Sequence, residues 1–160
     1  MARAYLLLGT NLGNLKENLQ RAIREMAKDD IKILKQSKIY KTKPWGKKDQ
    51  PDFLNLALEV ESTLTPQELL NRLKAIEEGM KRQKTEKWGP RIIDIDILFY
   101  ENQIINEPDL TIPHPQFYNR LFAIIPMAEI APDFIPPNST KKIKELITGV
   151  SGEGIEIYCD

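Results

Sequence analysis

In the segment Ile92-Ile93-Asp94-Ile95-Asp96-Ile97-Leu98-Phe99-Tyr100, two carboxylates stand two residues apart inside an apolar run. A strand has a side-chain period of two, so Asp94 and Asp96 project from one face while Ile93, Ile95, Ile97 and Phe99 line the other. A rise of about 3.3 Å per residue roots the two side chains roughly 6 to 7 Å apart, close enough to converge on shared cations. Hard divalent cations take carboxylate oxygen, and two-metal phosphoryl-transfer sites hold their ions roughly 3.5 to 4 Å apart, so the pair suits two magnesium ions. The plainer alternative is that the aspartates mark the solvent face of a half-exposed strand. Aspartate disfavours strands, however, and two of them in the most apolar stretch of the chain need a reason that metal binding supplies.

Immediately upstream, residues 81–91 carry five cations, Lys81, Arg82, Lys84, Lys87 and Arg91, against the single acid Glu86. Next to paired carboxylates, such a segment can clamp the oxygens of a triphosphate while metals take the others. Without the aspartates it would read as a solvated basic loop at a helix C-terminus. The sequence contains neither a Gly-x-x-x-x-Gly-Lys-Ser/Thr loop nor a Gly-x-Gly-x-x-Gly turn, so a nucleotide would be held by other means. His114 is the only histidine and lies between Pro113 and Pro115, which restrict its backbone. A lone histidine is more often a hydrogen-bonded structural group, and here it has no second histidine or nearby cysteine with which to build a metal site or triad.

These groups require a scaffold, and the chain predicts one. Ala4 to Leu8 reads as a strand stopped by Gly9-Thr10-Asn11, and Asn14 and Glu17 then open a helix carrying Leu15, Leu19, Ile23 and Met26. Residues 31–41 and 53–64 alternate as two strands, the second with Leu54, Leu56, Leu58 and Val60 on one face. The connection through residues 41–52 is too rich in Pro, Gly and charge for regular structure. Thr65-Pro66-Gln67-Glu68 caps a second helix with Leu69, Leu70, Leu73, Ile76 and Met80 on its stripe, and Ile92 to Tyr100 is the last strand. The order β-α-β-β-α-β predicts an α+β, ferredoxin-like core. The proline-rich remainder predicts additions to it: a short helix near 119–130, a helix capped by Ser139 with Ile143, Leu146 and Ile147 that ends at Gly149, and a terminal strand with Ile155, Ile157 and Cys159.

At 160 residues with 23 basic and 23 acidic side chains, the chain is expected to be one domain over 1–160, with no nucleic-acid or membrane partner. A single cysteine, no apolar run of membrane length and no secretory leader point to a cytoplasmic protein.

The run Lys87-Trp88-Gly89-Pro90-Arg91-Ile92-Ile93-Asp94-Ile95-Asp96-Ile97-Leu98 resembles the signature of the 6-hydroxymethyl-7,8-dihydropterin pyrophosphokinase family. Supporting segments are Leu8 to Gly13, Tyr40 to Gly46, Gln50 to Asn55, Ile112-Pro113-His114-Pro115 and Ala128-Glu129-Ile130-Ala131-Pro132. The resemblance implies a ferredoxin-like fold and transfer of pyrophosphate from ATP to a pterin hydroxymethyl group, releasing AMP, by a monomer in folate synthesis. It implies that Asp94 and Asp96 bind two Mg2+ ions and, with Arg82 and Arg91, form the catalytic set. By the same resemblance Glu77, Arg82, Lys84, Trp88, Arg91, His114 and Arg120 serve ATP. The pterin is expected to stack between Phe53 and Phe122, with Thr42, Pro44, Trp45 and Asn55 reading its edge. Lys84 departs from the family's usual arginine, replacing a bidentate fork with a point charge. A ferredoxin-like fold also hosts non-catalytic ligand-binding modules and RNA-binding domains. The first leaves the aspartates unexplained, and the second would set two carboxylates against phosphates.

Overall fold

The computed structural model describes residues 1–43, 51–80, 92–147 and 154–158. Strand β1 (Ala2–Thr10) leads into helix α1 (Leu15–Lys28), whose first turn is closed by Asn14 Oδ1 accepting from Glu17 N–H at 3.2 Å. Then come β2 (Lys32–Gln36), β3 (Tyr40–Thr42), β4 (Phe53–Ser62), helix α2 (Pro66–Met80) and β5 (Asp94–Tyr100). The α2 start is a reciprocal capping box, in which Glu68 N–H donates to Thr65 Oγ1 and Thr65 N–H to the Glu68 carboxylate.

In space the strands run β5-β1-β4-β3, with β2 beside the far half of β4, and every pairing in this sheet among the described residues is antiparallel. If β2 and β3 are counted as one interrupted strand, this is the expected ferredoxin-like arrangement. The interruption corrects the continuous strand expected over 31–41. Ser37 donates its backbone N–H to the Ala57 carbonyl, but the Ala57 N–H is taken by the Ser37 hydroxyl in place of a backbone carbonyl, at 2.9 Å. A side chain standing in the ladder frees the backbone to break.

Helices α1 and α2 cover one face of the sheet along its length. Leu19, Ala22 and Met26 of α1 and Leu69, Leu73, Ile76 and Met80 of α2 pack on Leu6, Leu8, Leu54, Leu56, Leu58, Ile93, Ile95 and Ile97. The other face is covered by less. Beyond β5 comes a hairpin, β6 (Ile105–Glu107) and β7 (Leu110–Ile112), within the proline-rich stretch expected to lack strands. A 3-10 turn (Phe117–Asn119) then leads into helix α3 (Leu121–Ile130), where the expected helix lies. Pro126 sits inside α3 and does not divide it. Ala123, Ile124, Met127 and Ile130 of α3 bury Tyr5, Leu7, Ala57, Leu98 and Phe99.

Phe99 is on the α3 side, contrary to strict alternation with the isoleucines. The pairing of β1 with β5 slips at this point: Leu6 faces Ile97 and Tyr5 faces Phe99, leaving Leu98 unpaired. The bulge turns Phe99 to the second face, where it meets Phe117 at 4.9 Å and Phe134 at 5.0 Å between ring centroids.

The last segment also differs from expectation. Ser139 closes a local turn with Lys141, and residues Ile143–Ile147 form a 3-10 helix rather than a capped α-helix. Strand β8 (Ile155–Ile157) joins the sheet beside β3, whereas Gly149 and Cys159 lie outside the described residues. Phe99 is fully buried, so Phe99→Ala is expected to destabilise the protein by about 3–5 kcal/mol in urea unfolding monitored by circular dichroism.

Candidate active site

At one end of the sheet β1 finishes where β4 and β5 begin. At this end of the second face, Gly9 of β1 lies between Asn55 of β4 and Asp94 of β5. A Cβ on Gly9 would come 2.9 Å from Asn55 Oδ1 and 3.8 Å from Phe53 Cδ1. Glycine therefore lets the amide and the ring lie over the strand, and it keeps a floor open between Asn55 and the first aspartate. Asn55 is buried and donates Nδ2–H to Thr42 Oγ1 at 2.8 Å. With that donor engaged, the acceptor Oδ1 is turned toward the floor.

One row further along, Asp96 lies opposite Leu7. Its Oδ2 is 3.9 Å from His114 Nε2 and 3.7 Å from Arg120 Nη1. Both separations exceed a direct hydrogen bond, so Arg120 offsets the carboxylate's charge and neither neighbour closes it to another ligand. Its side chain retains 37% of its exposure.

The bulge also places the histidine. Leu98, the unpaired residue, offers its carbonyl to the His114 N–H at 3.0 Å, and Gln116 N–H donates to His114 Nδ1 at 3.1 Å. An accepting Nδ1 puts the proton of the neutral ring on Nε2, facing Asp96. Burial pushes the His114 pKa below its usual 6.5, Asp96 pulls it upward, and Arg120 pushes it down. Arg120 begins α3 through its carbonyl, which accepts from Ala123 and Ile124 N–H. Its guanidinium carbon lies 5.5 Å from the centre of the Phe122 ring.

Of the residues expected to act, Asp96, His114, Arg120 and Phe122 are thus gathered at one end, with Thr42, Phe53, Asn55 and Asp94 beside them. Glu77 of α2 accepts from the Ile95 N–H at 2.7 Å, satisfying a donor of β5 between the two aspartates. Pro44, Trp45, Arg82, Lys84, Trp88 and Arg91 lie outside the described residues.

Sequence reasoning missed Gly9, Thr10 and Asn11 as contributors. Thr10 donates its hydroxyl to the Ile92 carbonyl at the entry to β5, and Asn18 Nδ2–H donates to Thr10 Oγ1 at 3.0 Å and to the Leu12 carbonyl at 2.7 Å. Asn11 Nδ2–H reaches the Pro51 carbonyl at 3.0 Å. One turn after β1 therefore ties down the chain leading into both β4 and β5. The only sequence signal was the Gly9-Thr10-Asn11-Leu12-Gly13 segment, whose residue types carry no reactive group.

Among the described residues, no group of three or more His, Cys, Asp or Glu side chains is placed to hold a metal. Two carboxylates are a fitting set for magnesium only if substrate oxygens and water complete the shell, as they do for ions carried by phosphates. No helix among the described residues is long and apolar enough to cross a membrane.

Fold and site together define a class, a ferredoxin-like α+β protein with an acidic and polar binding floor at one end of its sheet. Residues 5–132 match the family model described as 7,8-dihydro-6-hydroxymethylpterin-pyrophosphokinase. The 2-amino-4-hydroxy-6-hydroxymethyldihydropteridine pyrophosphokinase of Haemophilus influenzae is 41% identical over 148 residues, covering 92% of each chain. The enzyme of the same name from Methylorubrum extorquens is 39% identical over 157 residues, covering 98% of each. A solved Plasmodium falciparum HPPK-DHPS with pteroate superimposes with a TM-score of 0.72 at 19% identity over 91% of this chain. This chain spans 41% of that longer one, and the likeness supports the fold. The chain belongs to the 7,8-dihydro-6-hydroxymethylpterin-pyrophosphokinase family, ATP-dependent enzymes of folate biosynthesis that transfer pyrophosphate to hydroxymethyldihydropterin.

Because His114 is the sole histidine, its titration can be followed as a single imidazole signal by NMR. In metal-free protein the midpoint is expected below 6.5, rising in Arg120→Ala and falling further in Asp96→Asn. A folded-state value below the unfolded one means protonation favours unfolding. The support His114 gives the fold is therefore complete above pH 6.5 and is lost as pH falls through the folded-state midpoint.

Proposed function

We propose that Asp94 and Asp96 would hold two Mg2+ ions, and that ATP and the pterin hydroxymethyl group meet on the Gly9 floor beside them. The observation that carries this reading is the row of Asn55, Gly9 and Asp94 across three strands, which sets a hydrogen-bond reader and a metal-type carboxylate on opposite sides of a gap without a side chain. Bound magnesium supplies charge neutralisation of the phosphates and polarisation of the acceptor oxygen. His114 donates its Nε2 proton to a phosphate oxygen, and Arg120 supplies fixed positive charge beside it. Glu77, Arg82, Lys84, Trp88 and Arg91 complete the nucleotide side, with Arg82 and Arg91 stabilising charge on the transferred group.

A pterin edge presents an amino group and a ring N–H, both donors. Asn55 Oδ1, fixed by the Thr42 hydrogen bond, is the matching acceptor. Phe53 and Phe122 provide faces for the flat ring, and Pro44 and Trp45 close its edge. The hydroxymethyl oxygen then attacks the β-phosphorus of ATP. The bond from that phosphorus to the α-β bridging oxygen breaks, AMP leaves, and the hydroxyl proton is released, with Asp96 helping to polarise that hydroxyl. No covalent enzyme intermediate is needed, since positioning and electrostatics supply the acceleration. Strands drawn from Ala2–Thr10 through Ile155–Ile157 enter one sheet, which supports action as one domain over 1–160; the working form is a cytoplasmic monomer.

Chromatography of a reaction containing ATP, magnesium and 6-hydroxymethyl-7,8-dihydropterin should yield AMP only when all three are present. Asp94→Ala is expected to lower turnover on the order of 10³-fold while pterin binding persists; unchanged turnover would sink the metal role. Gly9→Ala should displace the Asn55 amide and weaken pterin binding about tenfold by fluorescence titration.

A further inference from the structure

The Ala128-Glu129-Ile130-Ala131-Pro132 segment contributes no group to the reaction above, yet its one charged side chain makes a specific cross-element contact. The exposed Glu129 carboxylate, on the last turn of α3, accepts from the Tyr40 hydroxyl at 2.6 Å. Its oxygens also accept from the Lys38 N–H at 3.0 and 3.1 Å. Tyr40 is 8% exposed and stands directly opposite Asn55 in the β3–β4 pairing. Burial and the carboxylate together push its pKa well above the usual tyrosine range, so the hydroxyl remains a donor.

Strand β3 has only three residues, and the chain has just left the ladder at Ser37. The strand is paired with β4 on one side and β8 on the other, and Glu129 takes two further donors at its N-terminal end. Two residues further on, Thr42 sets the Asn55 amide. At the other end of α3, Phe122 precedes Glu129 by seven residues, two helical turns on the same face and about 10 Å along the axis. The same helix therefore carries an aromatic face at one end and a clamp on the strand of the edge reader at the other.

We infer that Glu129 is a positioning residue for the pterin subsite, fixing α3 against β3 so that Phe122 and the Thr42–Asn55 pair keep the spacing of one flat ring. This rests on the assignment of Asn55 and Thr42 to the pterin edge. A carboxylate pinned by a buried tyrosine does this better than an apolar contact, because hydrogen bonds fix direction as well as distance.

The test is equilibrium binding of 6-hydroxymethyl-7,8-dihydropterin and, separately, of a non-hydrolysable ATP analogue with magnesium. The proteins compared are wild type, Glu129→Ala, Glu129→Gln, Tyr40→Phe, the Glu129→Ala/Tyr40→Phe double variant and Asn55→Ala, with thermal midpoints measured in parallel. Glu129→Ala should weaken pterin binding about tenfold and leave nucleotide binding unchanged. Glu129→Gln, which keeps an acceptor oxygen, should recover most of the loss, and the double variant should be no worse than Glu129→Ala alone. Equal weakening of both ligands with a lowered thermal midpoint would overturn the inference, as a merely structural role does that. So would unchanged pterin binding in Glu129→Ala. If Asn55→Ala weakens pterin binding and Glu129→Ala does not, only the positioning role falls. If Asn55→Ala has no effect, the edge-reader assignment falls and takes the inference with it.

Discussion

A single extra residue in the edge strand decides how the two halves of the second sheet face are used. Leu98 has no partner in β1, so the alternation that turns Asp94 and Asp96 to this face is reset before Phe99, which turns to the same face. The strand thus presents carboxylates where the face is open and an aromatic ring where α3 covers it. The carbonyl freed at the bulge also takes the His114 N–H, bringing the only histidine back to the strand that carries the aspartates. Without the bulge, Phe99 would join the isoleucines under α1 and α2, and α3 would lose its central anchor.

Uneven covering of the sheet follows from this. Two helices of 14 and 15 residues bury the first face, and one of 10 residues covers only part of the second. At the end of that face the residues are polar or lack a side chain: Asn55 and Gly9, both buried, and the partly exposed Asp94 and Asp96. A half-bare sheet end costs apolar burial, but it supplies a rigid floor on which groups are held by strand register rather than by loop conformation. The braces from Thr10 and Asn11 extend that rigidity to the chain entering β5 and β4.

Electrostatics at the floor is balanced rather than saturated. Asp96 lies within reach of His114 and Arg120, yet at distances of 3.9 and 3.7 Å it is not locked to either. On the proposed assignment of these residues, a phosphate-bearing substrate would exchange these contacts for stronger ones without breaking a tight ion pair, whereas a buried and fully bonded pair would resist. The neutral form of His114, favoured by burial, serves the same purpose, since it donates one hydrogen bond without adding another cation to the site.

The amino-acid sequence by itself determined the element order, both long helices with their stripes, the placement of Leu54, Leu56, Leu58 and Val60 on one face, and the pairing of Asp94 with Asp96. These are local consequences of periodicity and capping, and a window of ten to fifteen residues contains all the information they need. It also carried the family signature, and with it the chemistry of the chain. Tertiary structure alone decided that Ser37 breaks a strand, that Phe99 changes face, that Pro126 is tolerated within α3, and that Ser139 caps no α-helix. The first three depend on a partner far away in the chain: Ala57 for Ser37, Tyr5 for Phe99, the sheet beneath α3 for Pro126. The same is true of the site. That Gly9 must be glycine because Asn55 lies over it, or that Glu129 meets Tyr40, is a statement about residues brought together by strand register and helix packing, which no local pattern encodes.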